Sequence, residues 1–399
     1  MDRTEFLTRI GEQPIINSHS HHLPDQFHHD LTLEKILRNS YVDWCGVPVP
    51  SFDSKTAVSA WLDAVRTRSY FVWLEKALME LYGIDEPLHS GNIEVYDQAI
   101  RSAHQDEDWH LSVLRENCGY ESIILDTYWA PGEDNGHREL FKPAYRINSF
   151  FYGYNHAASD HNGHNIQVTY NRSITDIDEY VSFMEEILVE RKTAGCVVLK
   201  CALAYDRGLD FGSATKAEAQ RAMGQDDPDG INVIRFQDYI FDQVCRIAAE
   251  LELPIQIHTG LGLMNRTNAM QLQPLIARHP KTTFLLMHGS YPWTSDISGL
   301  CHVYPNVRAD LCWLPIISPT AARRLLHELI EVCDADRIIW GCDTWTSEES
   351  YGARLAFLDV LSRVLVERVE EGLMRQGDAL RFAEQVLHSN AAKVLGLSD

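Results

Sequence analysis

Eight short apolar runs recur along this 399-residue chain, each bounded by Gly, Pro, Asn or Asp and most followed by a longer stretch of helical spacing. They are "PIINSH" (14–19), "ESIILDT" (121–127), "YRINSFF" (145–151), "GCVVLKCAL" (195–203), "LPIQIHTG" (253–260), "TTFLLMHG" (282–289), "NVRADLCW" (306–313) and "RIIWGCDTW" (337–345). Near-continuous apolarity, rather than alternation, is the pattern of parallel strands buried on both faces. Eight such units predict an α/β fold, a closed (β/α)8 TIM barrel. The first crossover is much longer than the others and reads as helices over "LTLEKILRNSY", "KTAVSAWLDAVRTRSYFVWLEKALMELYG" and "NIEVYDQAIRSAHQDEDWHLSVLREN". An insertion after strand 1 emerges at the C-terminal face of a barrel, where it can roof a site. The expectation is one domain over 1–399, with 29–118 as a helical cap insertion.

Ligand-type side chains fall at the C-terminal ends of these strands, the end at which barrel sites are built. Strand 1 ends in "SHSHH", and strand alternation sends His19 and His21 to one side and Ser20 and His22 to the other. His258 ends strand 5, His288 strand 6 and Asp343 strand 8. A single strand-end histidine is ordinary, and Asp343 alone reads as a helix cap. Together they form a set that suits a divalent transition metal, zinc first, with manganese or iron as alternatives and one or two ions. Such an ion lowers the pKa of coordinated water from 15.7 towards about 7.

Lys200 lies inside "CVVLKCAL", one of the most apolar runs in the chain. Burying an unpaired ammonium is costly and lowers its pKa. Two readings stand level: a neutral amine that takes up carbon dioxide to become a metal-bridging carbamate, or an ion-paired lysine near the strand end. Arg207 and Arg146 are candidates for a fork on a substrate carboxylate. Tyr205 and Trp345, with Tyr291 and Trp313, are candidate walls. The segment "YGYNHAASDHNGHN" reads as a flexible loop whose histidines, His156, His161 and His164, are not ligands.

The segments "INSHSHHLP", "LKCALAYDRGLDF", "LPIQIHTGLG", "LLMHGSYPW", "IIWGCDTW" and "SNAAKVLGL" together resemble the amidohydrolase superfamily. More narrowly the chain resembles its second amidohydrolase family of metal-dependent barrel hydrolases, with further similarity to uronate isomerases. The resemblance implies that His19, His21 and Asp343 bind the more buried ion and that Asp343 also serves as base. His288 stands beside Asp343 as a catalytic candidate. If Lys200 is carboxylated, it bridges to a second ion held by His258 and His288; if not, one ion is bound by His19, His21 and Asp343 with help from His258. These families usually carry an aspartate two residues before the first histidine, where this chain has Asn17.

The implied activity is metal-dependent hydrolysis of an amide, lactone or related bond in a small carboxylate-bearing molecule. Sugar-acid isomerisation of the uronate type and metal-dependent decarboxylation are the alternatives. With 57 acidic against 35 basic residues the formal charge is -22, which disfavours nucleic acid and anionic membrane surfaces as partners. No run reaches the roughly 18 apolar residues of a membrane span. Nine scattered cysteines without a C-x-x-C indicate neither a disulfide framework nor a zinc ribbon. The expectation is a cytoplasmic enzyme with a small-molecule substrate, open to homo-oligomer formation.

Overall fold

The computed structural model describes residues 2–225 and 230–397. Its eight strands are β1 (Ile15–Ser20), β2 (Tyr120–Leu125), β3 (Phe141–Arg146), β4 (Val198–Cys201), β5 (Ile255–Ile257), β6 (Phe284–Leu286), β7 (Val307–Asp310) and β8 (Ile338–Ile339). Each pairs in parallel with the next, in the order β1 to β8. Every run read from the sequence meets a strand, but the third lies earlier than expected. It occupies 141–146, and 148–152 forms a short 3-10 helix instead of strand. Pro143, which reads as a strand breaker, is tolerated because only its carbonyl is needed, as acceptor from Val197 N–H at 3.1 Å.

A layer of small and branched side chains, Ile16, Ile124, Ala144, Val198, Leu285 and Ile339, fills the lower barrel and packs on Ala391 and Leu395 near the end of the chain. Lys200 follows Val198 by two residues on the same strand, so it lies one layer nearer the C-terminal mouth. The seam between β8 and β1 is closed by Ser18 N–H to the Trp340 carbonyl (3.0 Å) and Asp343 N–H to the His19 carbonyl (2.9 Å). Asn17 works on the same seam: its Oδ1 accepts Cys342 N–H at 2.9 Å and its Nδ2 donates to Cys342 Sγ. Gly341 is required there, since a Cβ would lie 2.6 Å from His19 N and 2.7 Å from Ser18 Oγ.

The segment from β1 to β2 folds into helices that include Leu33–Arg38, Lys55–Val65, Ser69–Tyr82 and Ile93–Ala103. Leu33, Ile36, Trp61, Phe71 and Tyr96 give these helices a cluster of their own. They also meet the helix Ser347–Glu370 that follows β8. Gly352 allows the close crossing, because a Cβ there would sit 2.8 Å from the Trp73 carbonyl. The first turn of Ser347–Glu370 carries Glu348 and Glu349, both buried. Carboxylates suit a helix N-terminus, and the inserted helices supply their donors. Glu348 accepts from His104 Nε2 (2.8 Å) and Tyr82 Oη (2.7 Å), and Glu349 accepts Tyr41 N–H (2.7 Å). Among the described residues no helix is long and apolar enough to cross a membrane.

Two predictions follow from this packing. Gly341→Ala should lower the midpoint of urea unfolding by the equivalent of roughly 1–3 kcal/mol, as overpacking does; an unchanged midpoint would show that the seam can relax. The second concerns Glu348. Burial raises its carboxyl, but the His104 and Tyr82 hydrogen bonds bring it from 4.5 down to about 2. The stabilisation from this group is therefore complete above the unfolded value and is lost as pH falls towards the folded one. Glu348→Gln should remove roughly 3 kcal/mol near neutrality and flatten the acid limb of the stability curve, measured by denaturant titration at several pH values.

Candidate metal centre and its cavity

His19 and His21 leave β1 where its register with β2 shifts, between Asn17 and Ser20. Both rings reach Asp343: each Nε2 lies 3.3 Å from Asp343 Oδ1. The Nδ1 atoms are occupied, His19 donating to Gln256 Oε1 (3.0 Å) and His21 to the Asp126 carbonyl (2.7 Å). Gln256 is itself oriented by donating Nε2–H to the Ser18 carbonyl at 2.7 Å. With both Nδ1 atoms protonated, the two Nε2 atoms present lone pairs. Asp343 Oδ1 is buried and accepts no hydrogen bond among the described residues. Three buried acceptor atoms thus converge on one point, a donor set that fits a divalent cation.

The electrostatics agree with a ligand set. Burial and then the nearby Lys200 hold His19 well below its ordinary value, so the ring is neutral. Burial acts to raise the Asp343 carboxyl, but His21, His288 and His19 around it keep it well below the usual carboxylate range. His288, Trp313 and Asp343 all have φ between 63° and 65°. Left-handed backbone at non-glycine residues costs on the order of 1–3 kcal/mol each and collects at functional sites. Here it falls at the ends of β6, β7 and β8.

Lys200 is 1% exposed, with Nζ 3.3 Å from His19 Nε2 and 2.8 Å from Met287 Sδ. Burial lowers its pKa, opposed by the charges of Asp343 and Asp126. His258 and His288 face one another, His288 Nε2 lying 2.9 Å from His258 Nδ1. His258 Nε2 bonds the Leu261 carbonyl and His288 Nδ1 lies 3.2 Å from the Cys312 carbonyl. Burial pushes both rings down, His288 to about 4.

These groups face a cavity of about 260 Å³, into which His21, Lys200, His258 and Asp343 project. Tyr205 and Trp345 line it as the sequence suggests, Trp345 stacking on His21 at 5.6 Å. Arg146 lines it too, but Nε and Nη2 are taken by Asp126, the latter at 2.5 Å, so no free fork remains. That pair keeps Asp126 ionised: burial acts to raise its carboxyl, and Arg146 and His21 hold it below the usual range. Arg207 is not brought to the cavity. It donates to Gln237 Oε1 (2.9 Å) and Asp238 Oδ1 (3.4 Å), with its guanidinium 4.3 Å from the Phe211 ring. Trp313 packs on His288 at 5.3 Å, and Tyr291 packs against the core.

Tyr41, in the insertion, went unremarked in the sequence. Its hydroxyl donates to Asp343 Oδ2 at 2.6 Å, and its ring stacks on Trp313 at 4.5 Å. Nothing local in "NSYVDWC" marks it. A second histidine group, His22, His28 and His110, is buried between β1 and the inserted helices. Its rings are nearly parallel, His28 on His110 at 2° and His22 to His110 at 12°. An ion lies in the plane of each ring that binds it, so stacked rings do not share one.

Comparison with known proteins bears on this site. Residues 204–397 match the family model described as amidohydrolase. The matched stretch is a little under half of the chain. It contains His258, His288 and Asp343, whereas His19, His21 and Lys200 precede the matched residues. Over 152 residues the chain is 34% identical to Protein fluG of Emericella nidulans, a stretch covering 37% of this chain and 18% of that protein. Among solved structures, the uronate isomerase of Thermotoga maritima superposes with a TM-score of 0.79 at 14% identity, covering 98% of this chain and 97% of that one. The glucuronate isomerase of Caulobacter crescentus gives 0.78 at 17%, covering 100% and 94%. A protein from Lactobacillus casei, described as a candidate metal-dependent hydrolase, gives 0.73 at 16%, covering 99% and 98%. These likenesses establish the barrel fold.

Among the described residues, Tyr41 is the donor that reaches Asp343 from the insertion. Tyr41→Phe leaves Asp343 with two undonated oxygens and should cost roughly 1–3 kcal/mol in metal-stripped protein. Chemical denaturation with and without added zinc checks this, and an unchanged metal-free stability would show that the hydrogen bond carries no weight.

Proposed function

We propose that the chain is a metal-dependent hydrolase of the amidohydrolase superfamily, acting on an amide, lactone or related bond of a small carboxylate-bearing molecule. The observation that carries the reading is Asp343 Oδ1, buried, undonated and 3.3 Å from each of two imidazole lone pairs. His19, His21 and Asp343 would hold one divalent ion, zinc first, which supplies Lewis acidity and acidifies coordinated water. Tyr41 fixes the second carboxylate oxygen, which leaves Asp343 oriented to take a proton from the attacking water. Arg146 lines the cavity, and Nη1, the nitrogen not bonded to Asp126, is the single donor proposed for a substrate carboxylate.

A two-ion arrangement, with a carbamate on Lys200 bridging to His258 and His288, competes with this one. The one-ion form is favoured because His19, His21 and Asp343 converge as they stand, whereas Lys200 Nζ is engaged by Met287 Sδ and His19 Nε2. The residues 29–118 are proposed as a cap within the same folding unit, supported by the contacts of Tyr41, Tyr82 and His104 with the helix after β8. Sugar-acid isomerisation is the second reading. The mixed cavity lining favours it, because Trp44 and Trp345 offer apolar faces while Arg146, His161 and Asn162 offer polar groups suited to a polyhydroxy acid.

Metal analysis of protein purified without chelators should find about one ion per chain. His19→Ala combined with His21→Ala should abolish it while far-UV circular dichroism stays unchanged, and Lys200→Ala should retain it. Full occupancy in the double variant would sink the centre. The metal-loaded protein should release acid from an amide and lactone panel; interconversion of uronates without acid release would move the assignment to the isomerase.

A further inference from the structure

The segment 153–165 is not the loose loop its Gly and Asn content suggests. Asn165 Nδ2 donates to the carbonyls of Tyr152 (2.8 Å), Asn155 (2.8 Å) and Ala158 (2.7 Å). Asp160 Oδ1 accepts Asn162 N–H (2.9 Å) and His164 N–H (2.8 Å). This bracing sets His161 at the edge of the cavity, with its side chain 27% exposed.

The ring of His161 is oriented by Asp206, which lies just past the end of β4. Asp206 Oδ1 accepts the His161 backbone N–H at 2.8 Å, and Oδ2 lies 2.9 Å from His161 Nδ1. Asn148 Nδ2 donates to the same Oδ2 at 3.1 Å and is held in turn by Ala202 N–H on its Oδ1 at 2.8 Å. A carboxylate only accepts, so His161 carries its proton on Nδ1 and leaves Nε2 as a lone pair. Asn162 Nδ2, 3.1 Å from Nε2, is a donor consistent with that tautomer. A carboxylate on Nδ1 with Nε2 unprotonated is the arrangement that fits an imidazole for proton transfer once the Asn162 amide gives way. His156 and His164 lie outside this cavity and have no such partner set.

We propose that His161, oriented by Asp206, is a catalytic acid that serves the leaving group in the cavity that Asp343 also lines. This inference rests on the hydrolase reading above. Tyr205 touches both the His161 ring (5.1 Å) and the His258 ring (4.5 Å), so His161 flanks the metal-side groups without joining them. In hydrolysis the water oxygen bonds to the scissile carbon, the bond from carbon to the leaving oxygen or nitrogen breaks, and one water proton goes to Asp343. The leaving atom takes a proton from Nε2 of His161, which has drawn it from bulk solvent and returns to the neutral tautomer. Asp343 gives its proton back to solvent, and the net change is one water consumed. Asp206 balances the imidazolium charge in between and keeps the ring from turning.

The test compares leaving groups. On an alkyl lactone or alkyl amide, His161→Gln should lower kcat/KM by roughly 10²–10⁴-fold. On a nitrophenyl ester, whose leaving group needs no proton, the loss should be small. Asp206→Asn should follow the same pattern, imidazole should partly restore His161→Ala, and metal content should stay at the wild-type level in all three. A readout that needs no substrate is nitrogen-15 NMR of the wild-type protein, where His161 Nδ1, held against Asp206, should resonate as a protonated nitrogen. Equal losses on both leaving groups, loss of metal, or an unprotonated Nδ1 would each overturn the proposal. No hydrolysis by the wild-type protein would instead overturn the hydrolase reading, and this proposal with it.

Discussion

Three buried acceptor atoms meet where the barrel closes, and much of the local structure serves to hold them there. Two imidazoles and a carboxylate repel one another unless a cation lies among them, yet the fold fixes all three from behind. Gln256 and the Asp126 carbonyl hold the two rings by their far nitrogens, and Tyr41 holds the far oxygen of Asp343. Left-handed backbone at Asp343 and His288 adds strain at the same strand ends. A fold that spends so many restraints on an otherwise unfavourable juxtaposition is preorganised for a ligand of positive charge.

The insertion belongs to this arrangement through one helix. Glu348 and Glu349 stand in the first turn of Ser347–Glu370, only a few residues after Asp343, and both take their donors from inserted helices. Movement of the insertion would therefore uncover two buried carboxylates and withdraw the Tyr41 hydroxyl from Asp343. Burial has already pushed Glu349 up to about 8, which makes it the more readily protonated of the two.

The barrel was legible because its strands are apolar on both faces, and the strand ends were legible because histidine and aspartate stand out against such runs. What escaped was set by long-range contact. Tyr41 is an ordinary aromatic in a helical insertion until the fold lays it on Asp343. His161 sat in a sequence rich in Gly and Asn, a composition that hides the asparagine and aspartate hydrogen bonds bracing it. Asn17 read as a missing charge, while in the structure it ties Cys342 across the seam. The arginines failed as free forks for a plain reason: a sequence shows a cation but not the carboxylate already paired with it. Arg146 is spent on Asp126 and Arg207 on Asp238.

The seam carries a consequence for how the molecule comes together. Asn17 and Cys342, the hydrogen-bonded neighbours of the ligand set, lie 325 positions apart. The complete set comes into being only when the first and eighth strands have met, so an unfolded or half-built chain offers an ion at best a histidine pair. An ion that favours the closed barrel over every open form acts as a removable cross-link across nearly the whole chain, stabilising the native state by mass action. On the proposed metal-dependent reading, metal supply would govern how long the protein survives in a cell as well as whether it turns over.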